Sequence, residues 1–494
     1  MTRRGIPVDE DRLAQVEEWT KRREQEEYDI VNEHTKIAIP VGHSMDVDLL
    51  SRALKAAGLE DCIGMNTKGE SVTKDLLAAN QHPVAQALVR ARQVATVRTT
   101  FVNGVRRHLV NGKIHCSFNQ IRKTDDDTGD SSGVKYGRLS ASHPNMQNQP
   151  GNSRFSGDNE IGPMWRSIYR PEDGWTACDL KQQEPKWSFH YGAILEELGV
   201  EGVKGAIALC QRLTENPELD TYEPIVEIAK VPRPRAKIIW LARSYGQGDG
   251  ALCEALGLPT RLVVFSMSVF RDALNNGVPK PEAKKMATVP ADSPEGQAVV
   301  GGFAPWKGAG EEGKVIIDNF DREMPFLKVC ADKAKDKANE NGYVKLLSGR
   351  RCHFEKAGGK YEWTHKAFNR IIQGTAAEQT KMITIAVSEA GFDDNLILQV
   401  HDELDFRGFD DAQAKACADV MRHAVPMKMP TVVDIERGPS WGESMSVEFK
   451  GPDGAKRKAT YSWGMKVVGG IIVPHDSPLD SLVHTEAVQT EDDA

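Results

Sequence analysis

No apolar stretch in this chain is long enough to cross a bilayer, and no charged-then-apolar leader marks a secretory signal. Those absences point to a soluble, intracellular protein. Cysteine is sparse: eight among 494 residues, scattered, with no Cys-x-x-Cys pair. That spacing argues against a zinc site and fits a reducing compartment better than a disulfide framework. An excess of positive charge is also missing, since the formal net charge is −8. A net negative chain is an unusual binder of polyanions. Local patches rather than the total attract phosphates, however. Arginine and lysine concentrate between Arg90 and Arg138, and the last twenty residues carry acidic charge without any Lys or Arg. There is no internal repeat. At this length several subdomains with ample core are expected.

What is present is a set of three polar constellations. His401-Asp402-Glu403 lies between Leu396-Ile397-Leu398-Gln399-Val400 and Leu404-Asp405-Phe406. Two apolar runs around a polar triplet predict a β-hairpin with carboxylates at its tip. A carboxylate held there can ligate a hard cation such as Mg²⁺, although a charged turn is more often just solvated. The second constellation is Trp175-Thr176-Ala177-Cys178-Asp179-Leu180, followed by Lys181-Gln182-Gln183-Glu184. An apolar strand ending in Asp179 and turning into a helix from Gln182 would fix a second carboxylate. In the third, Arg233, Lys237, Leu241 and Tyr245 recur every four residues and share one helix face, closed by Gly246. Pro232 and Pro234 suit a helix start. Two cations at the positive end of a helix make a site for an anion such as a triphosphate.

Together these segments resemble the motifs of family A DNA polymerases, the bacterial polymerase I class. The ordered set is Gly137-Arg138-Leu139-Ser140 with Pro144-Asn145-Met146-Gln147-Asn148, Asp179 to Lys186, Arg233 to Gly246, Gly342-Tyr343-Val344 with Gly349-Arg350-Arg351, Asn369 with Gln373 to Ala377, and Val400 to Glu403. The resemblance spans roughly residues 4–446. It implies an α+β right-hand fold with an antiparallel palm sheet, fingers and thumb. Residues 1–104 would hold the N-terminal segment and thumb helices. Residues 105–190 would form the first part of the palm, 191–341 the fingers with an insertion near 280–314, and 342–446 the second part of the palm. Residues 447–494 would be a C-terminal extension with a disordered acidic tail.

The residues also support a local outline. Helices are expected over 9–28, 45–57, 72–97 and 318–339. Asn111-Gly112 between alternating runs marks a hairpin. Residues 125–133 read as a polar loop, and 280–314, rich in Pro, Gly and Ala, as a mobile loop without periodicity. Strands are expected around Ala459 and Val467.

The resemblance implies template-directed addition of dNTPs to a primer 3′-hydroxyl with release of pyrophosphate. Two Mg²⁺ ions, with Mn²⁺ as a substitute, would be held by Asp179, Asp402 and the backbone carbonyl of Leu180, with Glu403 in support. Arg233 and Lys237 would bind the β- and γ-phosphates, and Lys237 could protonate the leaving group. Gln182, Glu184, Leu241 and Tyr245 would complete the nucleotide site, with Glu184 excluding a ribose 2′-hydroxyl. Arg138, Asn148, Arg351, Asn369, Gln373 and His401 would touch primer or template by shape rather than sequence. Leu241 departs from the family's aromatic, and Trp240 points about 100° away on an ideal helix. Pro234 is unusual inside this helix and would set a later start.

The resemblance begins near Met1, so an exonuclease region is not expected in this chain. It would be a separate protein or lost, or the chain is a fragment. Asp158-Asn159-Glu160 and Asp321-Arg322-Glu323 lie in the wrong regions for one. A separate exonuclease or a processivity factor is an expected partner beside DNA and dNTPs, with action in the host cytoplasm if the source is a phage. Two alternatives remain: a single-subunit RNA polymerase, disfavoured by Glu184 and Glu403, and a catalytically silent primer–template binding protein.

Overall fold

A computed structural model of the chain describes all residues except 121–122, 125–130, 133–135, 152–160, 300–303, 469–470 and 475–494. The expected acidic tail, the Asp158–Glu160 pair and most of the 125–133 loop lie outside the described residues. Lys123–Thr124 and Ser131–Ser132, flanking that loop, pair as short antiparallel strands.

The centre is a four-stranded antiparallel sheet in the order Leu396–Val400, Glu403–Arg407, Trp175–Leu180, Val433–Gly438. Trp175 pairs with Arg407 and Asp179 with Glu403 on one side, and Asp179 with Asp434 on the other. Alternation then decides which face each side chain takes. Trp175 and Ala177 enter one core with Trp165, Tyr169, Ile397 and Trp441. Cys178, Leu180, Leu404 and Phe406 enter another with Ile383, Val387, Cys417 and Met421. The sheet is therefore buried on both faces. Leu396–Val400 and the start of Trp175–Leu180 are apolar runs for that reason, whereas the edge strand Val433–Gly438 exposes Asp434 and Glu436.

The largest core belongs to helices between and after these strands. Trp187, Phe189, Ile239, Trp240, Phe320, Phe326 and Phe368 meet there. A third core joins the Glu10–Thr35 helix to Val47–Ala56, Lys74–Ala79 and Pro83–Thr96 through Tyr28, Val31, Leu54, Leu77 and Leu88. Glu24 and Glu27 are buried inside it and are met by Arg98 at 2.5 Å and Arg90 at 2.8 Å.

Several expected elements hold and several shift. The first helix is capped by the Asp9 side chain, which accepts from the Arg12 amide, and it runs on to Thr35. The expected helix over 72–97 is two helices, because Pro83 lacks an N–H and starts the second at its first turn. Likewise Pro325 divides the 318–339 pattern into Glu311–Glu323 and Pro325–Asn341. Asn111 and Gly112 both take positive φ, at 50° and 71°, between Leu109–Val110 and Lys113–Ile114. Residues 280–314 are not a featureless loop. Thr288–Pro290 and Trp306–Ala309 flank Thr260–Phe265 in a three-stranded sheet, with helices at Lys280–Met286 and Pro294–Gln297. Strands this short carry no readable period, which is why the sequence hid them. Beyond residue 446, Ser446–Lys450 pairs with Lys456–Thr460 and Met465–Val468 with Ile471–Pro474.

Candidate active site

Asp179 stands one residue before the end of its strand, and Asp402 occupies the two-residue turn between Val400 and Glu403. His401 in that turn holds a left-handed φ of 56°. The Leu180 amide donates to the Asp402 carbonyl at 3.2 Å, which sets residues 179 and 402 side by side. The turn is braced from behind: Gln399 Nε2 donates to the His401 carbonyl at 2.5 Å, and Gln147 Nε2 donates to Gln399 Oε1 at 2.9 Å.

The carboxylates are crowded and half-buried. Burial first, then Asp402 and Glu403, push the Asp179 pKa up to about 8. Burial raises Asp402 to about 6, opposed by the nearby Arg138 guanidinium. Glu403 Oε1 is buried with no hydrogen-bond partner among the described residues. An all-oxygen set whose Asp179 and Asp402 resist ionisation unless a cation arrives fits a hard divalent ion. Among the described residues no three His, Cys, Asp or Glu side chains form a metal cage on their own. The Asp321–Glu323 pair is elsewhere employed: Asp321 accepts from Arg243 at 2.7 Å.

The helix that follows, Gln183–Glu197, carries Glu184 in its first turn. Glu184 is ion-paired with Arg138 and accepts from the Tyr245 hydroxyl at 3.0 Å; Gln373 Nε2 donates to that hydroxyl at 3.4 Å. One network thus joins Arg138, Glu184, Tyr245 and Gln373 from four separate segments. Burial, then the Arg138 charge, lowers the His401 pKa. The expected helix start at Gln182 falls one residue later, because Gln182 adopts φ 53° outside the helix.

Arg233, Lys237 and Leu241 share the Arg233–Ser244 helix, with Tyr245 at its C-terminal cap. Pro234 does not delay the start: Pro232 is the N-cap and Pro234 sits in the first turn, where an amide is not needed. Gly246 turns away at φ 67°, and a Cβ there would lie 2.8 Å from the His365 carbonyl oxygen. Trp240 cannot replace the missing aromatic at 241, since it is buried and its Nε1 donates to Ser188 Oγ at 3.3 Å. Lys237 is exposed. Arg233 is paired with Asp220. Asn369 lies one turn before Gln373 on the Ala367–Glu389 helix. Asn148 is the exposed last residue of the Met146–Asn148 turn, whose Met146 is buried, and Arg351 stacks over Tyr343 at 4.6 Å.

Three features escaped the sequence reading. Asp220 and Tyr222 gather around Arg233, and Gln147 and Gln399 brace the turn. Asp405 is fully buried, accepts from Trp175 Nε1 at 2.8 Å, and is pushed well above the carboxylate range by burial and by Glu403. Asp405 left a signal as a charge between Leu404 and Phe406, and Gln147 lies within the Pro144–Asn148 motif quoted above.

The profile of DNA polymerase family A matches residues 10–193 and 307–443, well over half of the chain. The segment between these matches contains the Arg233–Ser244 helix. The DNA-directed DNA polymerase of Pseudomonas phage M6 is 38% identical over 459 residues, covering 92% of this chain and 65% of the relative. DNA polymerase DpoZ of Salmonella phage PMBT28 is 27% identical over 412 residues, covering 78% and 57%. The chain thus spans less than two thirds of the length of either relative. The POL domain of Pol1 from M. smegmatis, solved in complex with DNA primer-template and dNTP, superposes with a TM-score of 0.61 at 21% identity, covering 89% of this chain and 67% of that one. That likeness carries the right-hand polymerase fold, and the profile match over most of its length establishes that this chain belongs to DNA polymerase family A.

Proposed function

We propose that the chain is a template-directed DNA polymerase that extends a primer 3′-hydroxyl with dNTPs during phage DNA replication in the host cytoplasm. The observation that carries this reading is the juxtaposition of Asp179 and Asp402 at the end of a buried sheet, joined by the Leu180 amide. No helix among the described residues is long and apolar enough to cross a membrane.

Members of this family use divalent metal ions; we assign two Mg²⁺ to Asp179, Asp402 and the Leu180 carbonyl. When bound, such ions activate the 3′-hydroxyl and neutralise charge on the triphosphate. The protein's own groups do the rest. The sheet fixes both carboxylates to one point, so little reorganisation is needed there. Arg233 and Lys237 supply positive charge one turn apart for the β- and γ-phosphates, and Lys237 is placed to give a proton to the departing pyrophosphate. Glu184, clamped by Arg138 and Tyr245, forms a fixed wall against the sugar. Arg138, Gln373 and His401 line the same region and would read duplex shape; Asn148, Asn369 and Arg351 would contact DNA further out. In this reading residues 105–190 and 342–446 are palm, 191–341 fingers and 1–104 thumb.

Extension of a labelled primer tests it. Asp179→Ala and Asp402→Ala are each expected to lower the extension rate by roughly a thousandfold or more, equivalent to about 4 kcal/mol. Primer–template binding should stay within about threefold of the parent. Parallel reactions with NTPs separate this reading from RNA synthesis. Undiminished extension in either variant would refute the metal assignment.

A further inference from the structure

The guanidinium of Arg233 meets Asp220 Oδ2 through a single nitrogen, Nε. No other hydrogen bond of this guanidinium occurs among the described residues, and the side chain is 55% exposed. An arginine donates from five N–H groups in a planar fork. A carboxylate in an end-on bidentate pair would take the two Nη groups, and one in a side-on bidentate pair would take Nε and one Nη. Asp220 instead takes the side of the fork and leaves both Nη groups for a ligand, the geometry suited to bidentate capture of phosphate.

Asp220 is itself held in place. Its Oδ1 accepts from Gln182 Nε2 at 2.5 Å and from the Tyr222 amide at 3.0 Å, while Gln182 Oε1 accepts from the Thr221 amide at 2.8 Å. The Tyr222 ring lies 5.4 Å from the guanidinium carbon. Burial raises the Asp220 pKa, but the hydrogen bonds from Arg233, Tyr222 and Gln182 outweigh it and keep the carboxylate below its usual range. Gln182 sits at the left-handed bend where the Asp179 strand becomes the Glu184 helix. A continuous chain of hydrogen bonds therefore runs from the carboxylate-bearing strand to the first residue of the Arg233–Ser244 helix.

We propose that Asp220 is a positioning residue for nucleotide binding: it pins Arg233 by Nε so that both Nη groups face the triphosphate, and through Gln182 it sets that arginine's distance from Asp179. The proposal rests on the polymerase reading above. Asp220 offsets part of the Arg233 charge, while Lys237 one turn on is free of any ion pair among the described residues.

A double-mutant cycle tests it, with KM for dNTP and kcat measured on primed template and melting temperatures measured alongside. Asp220→Ala is expected to raise KM roughly tenfold with kcat within about twofold. Asp220→Asn, which keeps an acceptor for Nε, should recover part of that rise. In an Arg233→Ala background, Asp220→Ala should add nothing. Additive effects in the cycle, a lowered KM, or a loss of melting temperature and kcat without a KM change would each overturn the proposal. A parent protein that extends no primer would overturn the polymerase reading first; an active parent with an additive cycle would overturn the Asp220 role alone.

Discussion

Glu184 shows how much one carboxylate can be asked to do. Its two oxygens are divided between Arg138 and the Tyr245 hydroxyl, and Tyr245 is held in turn by Gln373. An ordinary first-turn glutamate favoured by the helix dipole would be free to turn. This one is fixed by both contacts, so in the proposed nucleotide site its edge would be a rigid boundary. Glu184→Ala is expected to raise the use of NTPs relative to dNTPs roughly tenfold or more, about 1.4 kcal/mol of lost discrimination. Glu184→Gln, which keeps an acceptor for Tyr245, should change it less. Competition between the two nucleotide classes in single-addition reactions reads this directly, and unchanged sugar selectivity in the alanine variant would remove Glu184 from that role. Residues such as Asp179, Asp402 and Glu184 were legible because each ends or begins a strongly patterned element. Asp220 was not, because its meaning depends on Gln182 and Arg233, which approach it only in three dimensions.

At the scale of elements, backbone chemistry explains both the successes and the misses. The Asn111-Gly112 turn and the Val400–Glu403 hairpin were readable from local pattern, since positive φ and alternation are local properties. Buried Glu24 and Glu27 were not, because a charged helical stripe looks solvated until Arg90 and Arg98 arrive from distant sequence. The Gln183–Glu197 helix carries a pH-sensitive contact of the same hidden kind. His190 Nδ1 accepts from the Lys428 amide at 3.2 Å, which requires the neutral ring. Burial, then the Lys428 charge, lowers its pKa from 6.5 to about 4. The unfolded chain would take up this proton near pH 6.5, and the folded chain only near 4. Between those values the unfolded state binds more protons, so the contribution is complete above about pH 6.5 and is lost as pH falls. Urea midpoints at about pH 7 and about pH 5 should therefore drop more in the parent than in His190→Gln, which keeps an acceptor but cannot titrate. Parallel pH dependence in the two proteins would show that His190 carries no such linkage.

At the scale of the whole molecule, the segment after residue 446 is the part the sequence described least well. It was expected to contain strands, but its pattern did not tell where those strands would pack. Tyr461, between the two hairpins, is buried with Trp165, Trp175 and Trp441 in the core under the central sheet, and its amide donates to the Met445 carbonyl at 2.9 Å. Trp463 lies under the Arg12 guanidinium at 4.7 Å, and its amide donates to Glu443, which Arg12 also binds at 2.8 Å. The extension thus ties the first helix to the Gly442–Ser444 turn that follows the central sheet, and so supports the face of the sheet to which Asp179 belongs. A buried aromatic that fills such a core loses both transfer energy and packing when truncated. Tyr461→Ala is accordingly expected to cost about 3 kcal/mol of stability, whereas an exposed change in the same extension, Lys456→Ala, should stay within about 0.5 kcal/mol. The loss should also reach the active site as a lower temperature of half-inactivation with little change in KM at low temperature, since no described residue of the extension is among those proposed to bind nucleotide. A denaturation midpoint in Tyr461→Ala equal to that of Lys456→Ala would mean that the extension is not part of the cooperative core.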